Sequence, residues 1–222
     1  MSGAEVSAAL AADRSQTWWL LSRTLLERPG PELLQELSAS LAVVPEDSPL
    51  SGDRGELSGL LSEKAHEALS EDLGPEYTRL LRGIREGVSP PPPYESLYRG
   101  GALMNDFGQA AVASYVSAGF GDIAPEAGPQ DHLGVELRFM SLLCYREMEA
   151  WQEGDAVEAG AVRSRQEAFL QDHLLAWLPG FSERIAQHAK MGFYPALMRI
   201  VEAFCRQEMT ALVMPDEAME VA

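Results

Sequence analysis

Apolar residues along this chain recur at the three- and four-residue spacing of an amphipathic helix. Leu57, Leu60 and Leu61 follow this rule, while Glu63 and Lys64 fall on the opposite face. No segment shows the sustained alternation of apolar and polar residues that a half-buried strand requires. The pattern therefore predicts an all-α protein, a single helical domain of about ten helices.

Proline and glycine residues set the predicted ends of the first helices. An apolar stripe over residues 6–26 predicts the first helix. A later helix that carries Leu57 to Leu69 is expected to end at Gly74 and Pro75, because these residues interrupt helices. A further helix is then expected to begin at Glu76.

The middle of the chain contains two segments that do not follow a helical period. Pro90–Pro93 are four consecutive prolines, and such a run is stiff and extended. After a helix predicted over residues 104–118, residues 120–130 mix glycine, proline and acidic residues without periodicity. We therefore expect residues 120–130 to be a hinge between an N-terminal lobe, residues 1–119, and a C-terminal lobe, residues 131–222.

The C-terminal lobe is predicted to begin with a long helix. Asp131 is expected to cap this helix, because its carboxylate can accept from the backbone N–H groups of the first turn. A later helix that reaches Trp177 is expected to end at Pro179 and Gly180.

The net charge of the chain indicates which classes of partner it attracts and which it repels. Its formal net charge is −17, from 34 acidic and 17 basic residues. Such a charge repels phosphate backbones and anionic lipid headgroups, so a nucleic-acid partner is not expected. It favours a basic peptide, although an acidic surface also serves solubility.

Other sequence features indicate a cytoplasmic protein. The apolar stretches are far shorter than the roughly 20 residues of a membrane-spanning helix, so no membrane span is expected. The first ten residues contain an acid and no basic region, so no export signal is expected. The two cysteines, Cys144 and Cys205, form no C-x-x-C motif and suit a reducing compartment.

Candidate catalytic chemistry is sparse. His132 and Glu136 stand four residues apart on one face of a predicted helix, a spacing at which two side chains can share a metal. However, the sequence has no H-E-x-x-H motif and no phosphate-binding G-x-x-x-x-G-K-[ST] loop. We therefore assign no catalytic residue, metal ligand or cofactor, and a metal-dependent helical enzyme is the weaker alternative. Glu136 can equally tie a neighbouring loop by hydrogen bonds.

Three groups of residues stand at the spacing of a known family's motifs. They are Glu76, Leu80 and Leu81; Pro93, Tyr94, Ser96 and Tyr98; and Pro129, Asp131, His132, Glu136 and Leu137. The sequence from Phe169 to Tyr194 is also similar to the C-terminal helices of that family. In these features the sequence resembles the TorD/DmsD family of redox-enzyme maturation chaperones.

The resemblance implies a chaperone rather than an enzyme, with no cofactor of its own. It implies that the protein binds the twin-arginine leader peptide and the apoprotein of a molybdopterin oxidoreductase, and that it assists cofactor insertion before export. It is compatible with a monomer or with a domain-swapped dimer, because some members exchange halves across the connector. An acidic helical adaptor for another basic partner is the main alternative.

The resemblance also places peptide binding where the proline run meets the start of the long helix. The implied residues are Tyr94, Glu95, Ser96, Leu97, Tyr98, Pro129, Asp131, His132 and Glu136. Because such a leader offers guanidinium groups and then an apolar stretch, its receptor needs carboxylates beside exposed apolar surface. Asp131 and Glu95 are expected to supply the charge, and the tyrosines with Leu97 the apolar walls. Alternatively, the tyrosines simply pack on the prolines. His173 is expected to brace helices.

Overall fold

The computed structural model describes residues 2–45, 51–83 and 89–213, which form helices joined by short connections. The α-helices are α1 (Gly3–Leu26), α2 (Pro31–Ala42), α3 (Ser51–Ser62), α4 (His66–Leu81), α5 (Glu95–Gly100), α6 (Asp106–Ser117), α7 (Leu133–Glu153), α8 (Ala156–Phe169), α9 (Leu175–His188) and α10 (Phe193–Val213). A 3₁₀ turn spans Pro125–Ala127, and a π-helical turn, Leu170–Leu174, joins α8 to α9. The prediction of an all-α protein is confirmed.

Helices α1 and α7 pack along each other through the centre of the molecule. They lie in close contact at Gly134, where an added Cβ would lie 2.6 Å from Leu26 Cγ and 3.2 Å from the carbonyl oxygen of Ser22. The Ser22 hydroxyl donates a 2.7 Å hydrogen bond to the Gly134 carbonyl. A larger side chain at residue 134 would push the two helices apart, since packed interiors leave little free space.

A buried polar cluster ties α1 to three C-terminal helices. The Arg14 guanidinium donates from Nε to Glu208 (2.6 Å), from Nη1 to Glu147 (2.8 Å) and from Nη2 to Gln166 (2.5 Å). The side chains of Glu147 and Glu208 are only 3% and 5% exposed. Buried carboxylates of this kind need a paired cation, so Arg14 fixes how α1 sits on α7, α8 and α10.

The predicted helix end at Gly74 and Pro75 is wrong. Helix α3 ends earlier, at Ser62, and α4 runs through Pro75 to Leu81. Proline in a helix interior costs about 3 kcal/mol. Burying one large apolar side chain contributes about 1.5–3 kcal/mol, and Leu73 and Leu80 on the two sides of Pro75 are both fully buried. Tertiary packing therefore outweighs the local proline penalty.

The predicted end at Pro179 and Gly180 is wrong for the same reason. Helix α9 continues through both residues to His188. Leu178 before the interruption and Phe181 after it are fully buried. Their burial holds the helix across the proline.

Residues 120–130, the predicted hinge, form a loop that is folded around one glutamine side chain. The Gln130 carboxamide accepts from the backbone N–H groups of Ile123 (2.9 Å) and Ala124 (3.2 Å). It also donates to the carbonyls of Ala124 (3.0 Å) and Gly128 (2.9 Å). A single hydrophobic cluster includes core residues from both predicted lobes, from Trp18 to Cys205. The division into two lobes stays a prediction.

Candidate functional site

The two sequence motifs meet in a short antiparallel contact between the proline segment and the start of α7. Tyr94 and His132 form an isolated β-bridge. On either side of it, the Glu95 N–H donates to the Asp131 carbonyl (2.9 Å) and the Leu133 N–H donates to the Pro93 carbonyl (2.8 Å). We call this contact, residues 93–96 with residues 131–133, the clasp. It brings together the two segments that carry the predicted site.

Asp131 crosses the clasp instead of capping its own helix. The N-cap of α7 is His132, whose Nδ1 accepts from the Gly134 N–H at 3.0 Å. The Asp131 Oδ2 instead accepts from the Ser96 N–H, in the first turn of α5, at 3.0 Å. The prediction of an Asp131 cap on α7 is therefore wrong by one residue. Asp131 satisfies an N-terminal donor of α5, for which Tyr94 offers no side-chain acceptor.

Helix α6 closes one side of the clasp. An added Cβ at Gly108 would lie 3.0 Å from Asp131 Oδ2 and 3.4 Å from Ser96 Cβ. The Ser96 hydroxyl accepts from the Met104 N–H at 3.0 Å, and the Ser96 carbonyl accepts from the Asn105 amide at 2.9 Å. Ser96 is thus held from the clasp on one side and from the start of α6 on the other.

The tyrosines and prolines form the outer surface of the site. Tyr94, Leu97, Tyr98 and Pro129 are all partly exposed. The Tyr98 hydroxyl donates to the Pro91 carbonyl (2.8 Å), and the Tyr94 hydroxyl donates to the Ala127 carbonyl (3.2 Å). The Tyr94 ring contacts His132 and the Tyr98 ring contacts Trp177 and Phe181. Each hydroxyl is therefore satisfied and each ring is anchored, while part of each ring stays at the surface.

The carboxylates of the site lie inside the protein. Glu95, Asp131 and Glu136 are each 0% exposed. The expectation that Asp131 and Glu95 display their charge beside the exposed tyrosines is therefore wrong. The physical reason is packing: these positions turn toward the core, where each carboxylate keeps at least one hydrogen-bond partner.

Glu95 is paired on both of its oxygens. Oε1 accepts from Arg99 Nη1 at 2.5 Å, and Oε2 lies 2.8 Å from His173 Nδ1. The His173 ring stacks on Phe169, with 4.6 Å between ring centroids. His173 therefore braces the π-helical turn against α5, as expected from the sequence.

Glu136 is a buried acid whose pKa lies well above its usual range. Burial is the main cause, and the nearby Glu95 raises the pKa further. Its Oε2 accepts from Trp177 Nε1 at 3.0 Å, whereas Oε1 has no hydrogen-bond partner in the described part of the chain. Burial thus favours the protonated form of Glu136, whereas a metal ligand must be deprotonated.

His132 is a neutral imidazole in this structure. Burial lowers its pKa to about 3, with a smaller contribution from the positive charge of Arg82. Its Nδ1 already accepts the Gly134 N–H, which requires an unprotonated nitrogen. His132 therefore adds no positive charge that would repel a cationic ligand.

The rest of the described chain adds no metal site. Among residues 2–45, 51–83 and 89–213, no group of three or more His, Cys, Asp or Glu side chains is placed to hold a metal ion. In the same ranges, no helix combines the length and apolarity needed to cross a membrane. Cys144 and Cys205 are buried free thiols, and burial raises the pKa of each.

Sequence reasoning missed the partners of the buried carboxylates. Arg99 stands four residues after Glu95, a spacing that permits a helical ion pair, so this pair could have been predicted from the sequence. Trp177, which donates to Glu136, gave no local signal because it lies 41 residues away.

Comparison with known proteins identifies a family match and relatives that share one name. Residues 47–183 match the family described as nitrate reductase delta subunit. The chaperone protein TorD of Vibrio parahaemolyticus is 36% identical over 124 residues, which are 54% of this chain and 56% of that protein. TorD of Photobacterium profundum is 31% identical over 208 residues, 88% of this chain and 92% of that protein. The match thus spans about half of the first relative and most of the second.

A solved structure from Archaeoglobus fulgidus, described as a candidate redox enzyme maturation protein, also matches. It shares 20% identity over 90% of this chain and 94% of that chain, with a TM-score of 0.48. The curated relatives are named as chaperones rather than as enzymes. The family match and the nearly full-length relative agree with the motifs in the sequence, and the chain belongs to the TorD-like family of maturation chaperones.

Proposed function

We propose that this protein is a cytoplasmic chaperone that binds the twin-arginine leader and the apoprotein of a molybdopterin oxidoreductase, and assists cofactor insertion before export. The TorD name of its relatives supports a chaperone role. The single observation that carries the proposal is the clasp. It seats a proline and tyrosine surface directly above a group of buried carboxylates.

That arrangement suits a ligand with a cationic end and an apolar body. The partly exposed faces of Tyr94, Leu97 and Tyr98 supply apolar contact area. Below them, the buried Glu95 provides negative potential without exposing a carboxylate to water. A buried charge is screened less by salt than a surface charge, so it acts more strongly on a bound guanidinium.

A groove along α7 offers the apolar part of the leader a place to lie. The groove has a volume of about 840 Å³ and lies between α1, α2 and α7, with Trp19, Leu142 and Tyr145 among its walls. Arg138 stacks over Trp19 of the groove wall (4.6 Å to the ring centroid) and pairs at 3.1 Å with Glu126 in the loop before α7. The occupant we assign to it is the leader's apolar segment, which would continue from the clasp along α7.

The overall charge supports a cationic client. A net charge of −17 attracts a basic peptide over a Debye length of about 8–10 Å at ordinary salt. Binding keeps the leader away from the translocase by mass action. Release follows when the folded client, with its cofactor inserted, no longer presents the same surface.

Peptide titration tests the proposal. Fluorescence anisotropy would compare a synthetic leader that has an arginine pair before an apolar segment with its Lys-Lys form and with a scrambled form. We expect the arginine form to bind most tightly, because a guanidinium makes planar paired hydrogen bonds that an ammonium does not. Equal binding of all three peptides would overturn the proposal in favour of an acidic adaptor.

A surface variant locates the binding site in the same assay. Tyr94→Ala should weaken leader binding, since it removes a partly exposed ring that contacts His132 with 5.2 Å between ring centroids. Val157→Ala is the matched control, because Val157 is 85% exposed on α8. Unchanged affinity in Tyr94→Ala would remove the clasp surface from the binding site.

A further inference from the structure

Arg99 lies in a receptacle formed by three separate elements. Its Nη1 donates to Glu95 Oε1 on α5 and to the Asp172 carbonyl in the π-helical turn, both at 2.5 Å. Its Cζ sits 4.0 Å from the centroid of the Phe107 ring at the start of α6. A carboxylate, a carbonyl and an aromatic face are the groups that a planar guanidinium binds best.

The receptacle opens to the surface on the side from which Arg99 enters. The Arg99 side chain is 24% exposed, whereas Glu95 is 0% exposed. Phe107 is 36% exposed, so its ring also reaches solvent. His173 approaches Glu95 from the interior, on the other carboxylate oxygen. Arg99 is thus the group that separates the buried carboxylate from the outside.

Arg99 lies near the end of a short helix with part of its side chain in contact with solvent. It is the second-last residue of the six-residue helix, whose C-cap is Gly101 with a φ of 74°. Rotation of Arg99 would therefore open Glu95 Oε1 without moving the clasp, whose hydrogen bonds involve residues 93–96.

We propose that Glu95, Phe107 and the Asp172 carbonyl form a binding site for an arginine side chain of the client's leader, and that Arg99 fills this site until the leader arrives. The inference rests on the proposed leader-binding function. Binding exchanges one guanidinium for another, so the buried Glu95 carboxylate does not lose its cationic partner, which would be costly. The exchange also selects arginine over lysine, since the receptacle is built around a planar group.

The exchange has a measurable consequence. An internal group competes at an effective concentration of about millimolar, so removing it should tighten leader binding by about tenfold or more. A purely structural Arg99–Glu95 pair predicts the reverse, because its loss would disturb the site. Leader affinity therefore separates the two roles.

The experiment titrates the full chain and its Arg99→Ala variant with the synthetic arginine-pair leader. Arg206→Ala is the control, because Arg206 forms a comparable i,i+4 pair with Glu202 on an exposed face. We expect tighter binding for Arg99→Ala and unchanged binding for Arg206→Ala. Arg99→Lys keeps a positive charge if the alanine variant folds poorly, and it should also bind the leader more tightly than the wild type.

A second measurement tests the receptacle without any leader. Ethylguanidinium should raise the thermal stability of Arg99→Ala saturably, and ethylammonium should do so less. The effect should vanish in the double variant Arg99→Ala with Glu95→Gln, which lacks the carboxylate. If ethylguanidinium does not stabilise Arg99→Ala saturably, the proposed arginine-binding site is overturned.

The outcomes distinguish the inference from the proposed function. If the wild type binds the leader but neither Arg99 variant binds it more tightly, the exchange is overturned while the chaperone proposal stands. If no form of the protein binds the leader, the proposed function falls and takes the exchange with it.

Discussion

Replacing Asp131 by alanine and by asparagine separates the hydrogen bond of this residue from its charge. Asp131→Ala removes the acceptor of the Ser96 N–H, and both residues are 0% exposed. An unsatisfied buried donor costs about 1–3 kcal/mol, and a hydrogen bond to a charged group contributes about 1.5–3 kcal/mol. Because these two ranges describe the same lost contact, we expect Asp131→Ala to lower the unfolding free energy by about 2–3 kcal/mol.

Asp131→Asn keeps an acceptor oxygen and removes a negative charge from a crowded acidic group. The Asp131 charge is one of the causes that raise the pKa of Glu136. Its removal relieves like-charge repulsion, so we expect the unfolding free energy to change by less than about 1 kcal/mol. The comparison tests whether the acceptor or the charge stabilises the clasp.

Urea denaturation followed by circular dichroism measures both variants. For a chain of this size, a loss of 2–3 kcal/mol corresponds to a Tm lower by roughly 4–12 °C. An equal loss in the two variants would refute the reasoning, because it would mean that the charge itself is required.

Leader titration extends the same comparison to function. Asp131 offers no exposed carboxylate, so we expect Asp131→Asn to bind the arginine-pair leader about as well as the wild type. Asp131→Ala should bind it less well because the clasp is loosened. Loss of binding in Asp131→Asn with normal stability would indicate direct contact between the carboxylate and the ligand.

Three further predictions concern buried charges. Arg14→Met should lower the unfolding free energy by about 3–5 kcal/mol, because it removes the guanidinium paired with the buried Glu147 and Glu208, of which Glu147 keeps Arg163 at 3.3 Å. Arg206→Ala at an exposed pair should cost only about 0.3–0.5 kcal/mol, and urea denaturation compares the two variants. As pH rises from 5 to 8, Glu136→Gln should lose less stability than the wild type. The raised pKa of Glu136 keeps the folded carboxyl protonated to a higher pH than the carboxyl of the unfolded chain, which ionises first. Tm at the two pH values measures this difference. As pH falls from about 6.5 toward 3, His132→Asn should lose less stability than the wild type. In this range the imidazole binds a proton in the unfolded chain but not in the folded protein. An unchanged pH profile would contradict the buried neutral imidazole.

The helical fold could be predicted from apolar spacing, but two helix boundaries could not. At Pro75 and Pro179 the local preference for a break is real. It is outweighed by buried side chains contributed from distant parts of the chain, and a local pattern does not contain that information. The spacing of apolar residues identifies a helix more reliably than it identifies its ends.

The meeting of the two motif segments could be predicted from the sequence, whereas the burial of their carboxylates could not. Tyr94 and Asp131 were assigned to one site through family motifs, and the clasp brings their segments together. Their exposure depends on how α5 and the π-helical turn pack, which no local pattern reveals. Asp131 and His132 both carry side-chain acceptors, so the sequence does not decide which of them caps α7. In the structure the cap is His132.

The Arg14 cluster has a consequence for synthesis of the protein. Arg14 emerges from the ribosome before its partner Glu208, which is made 194 residues later. Helix α1 therefore lacks this partner until α10 has been made. Nascent chains that stop short of α10 should stay unfinished at this end, although the segments of the clasp have long been available to pair.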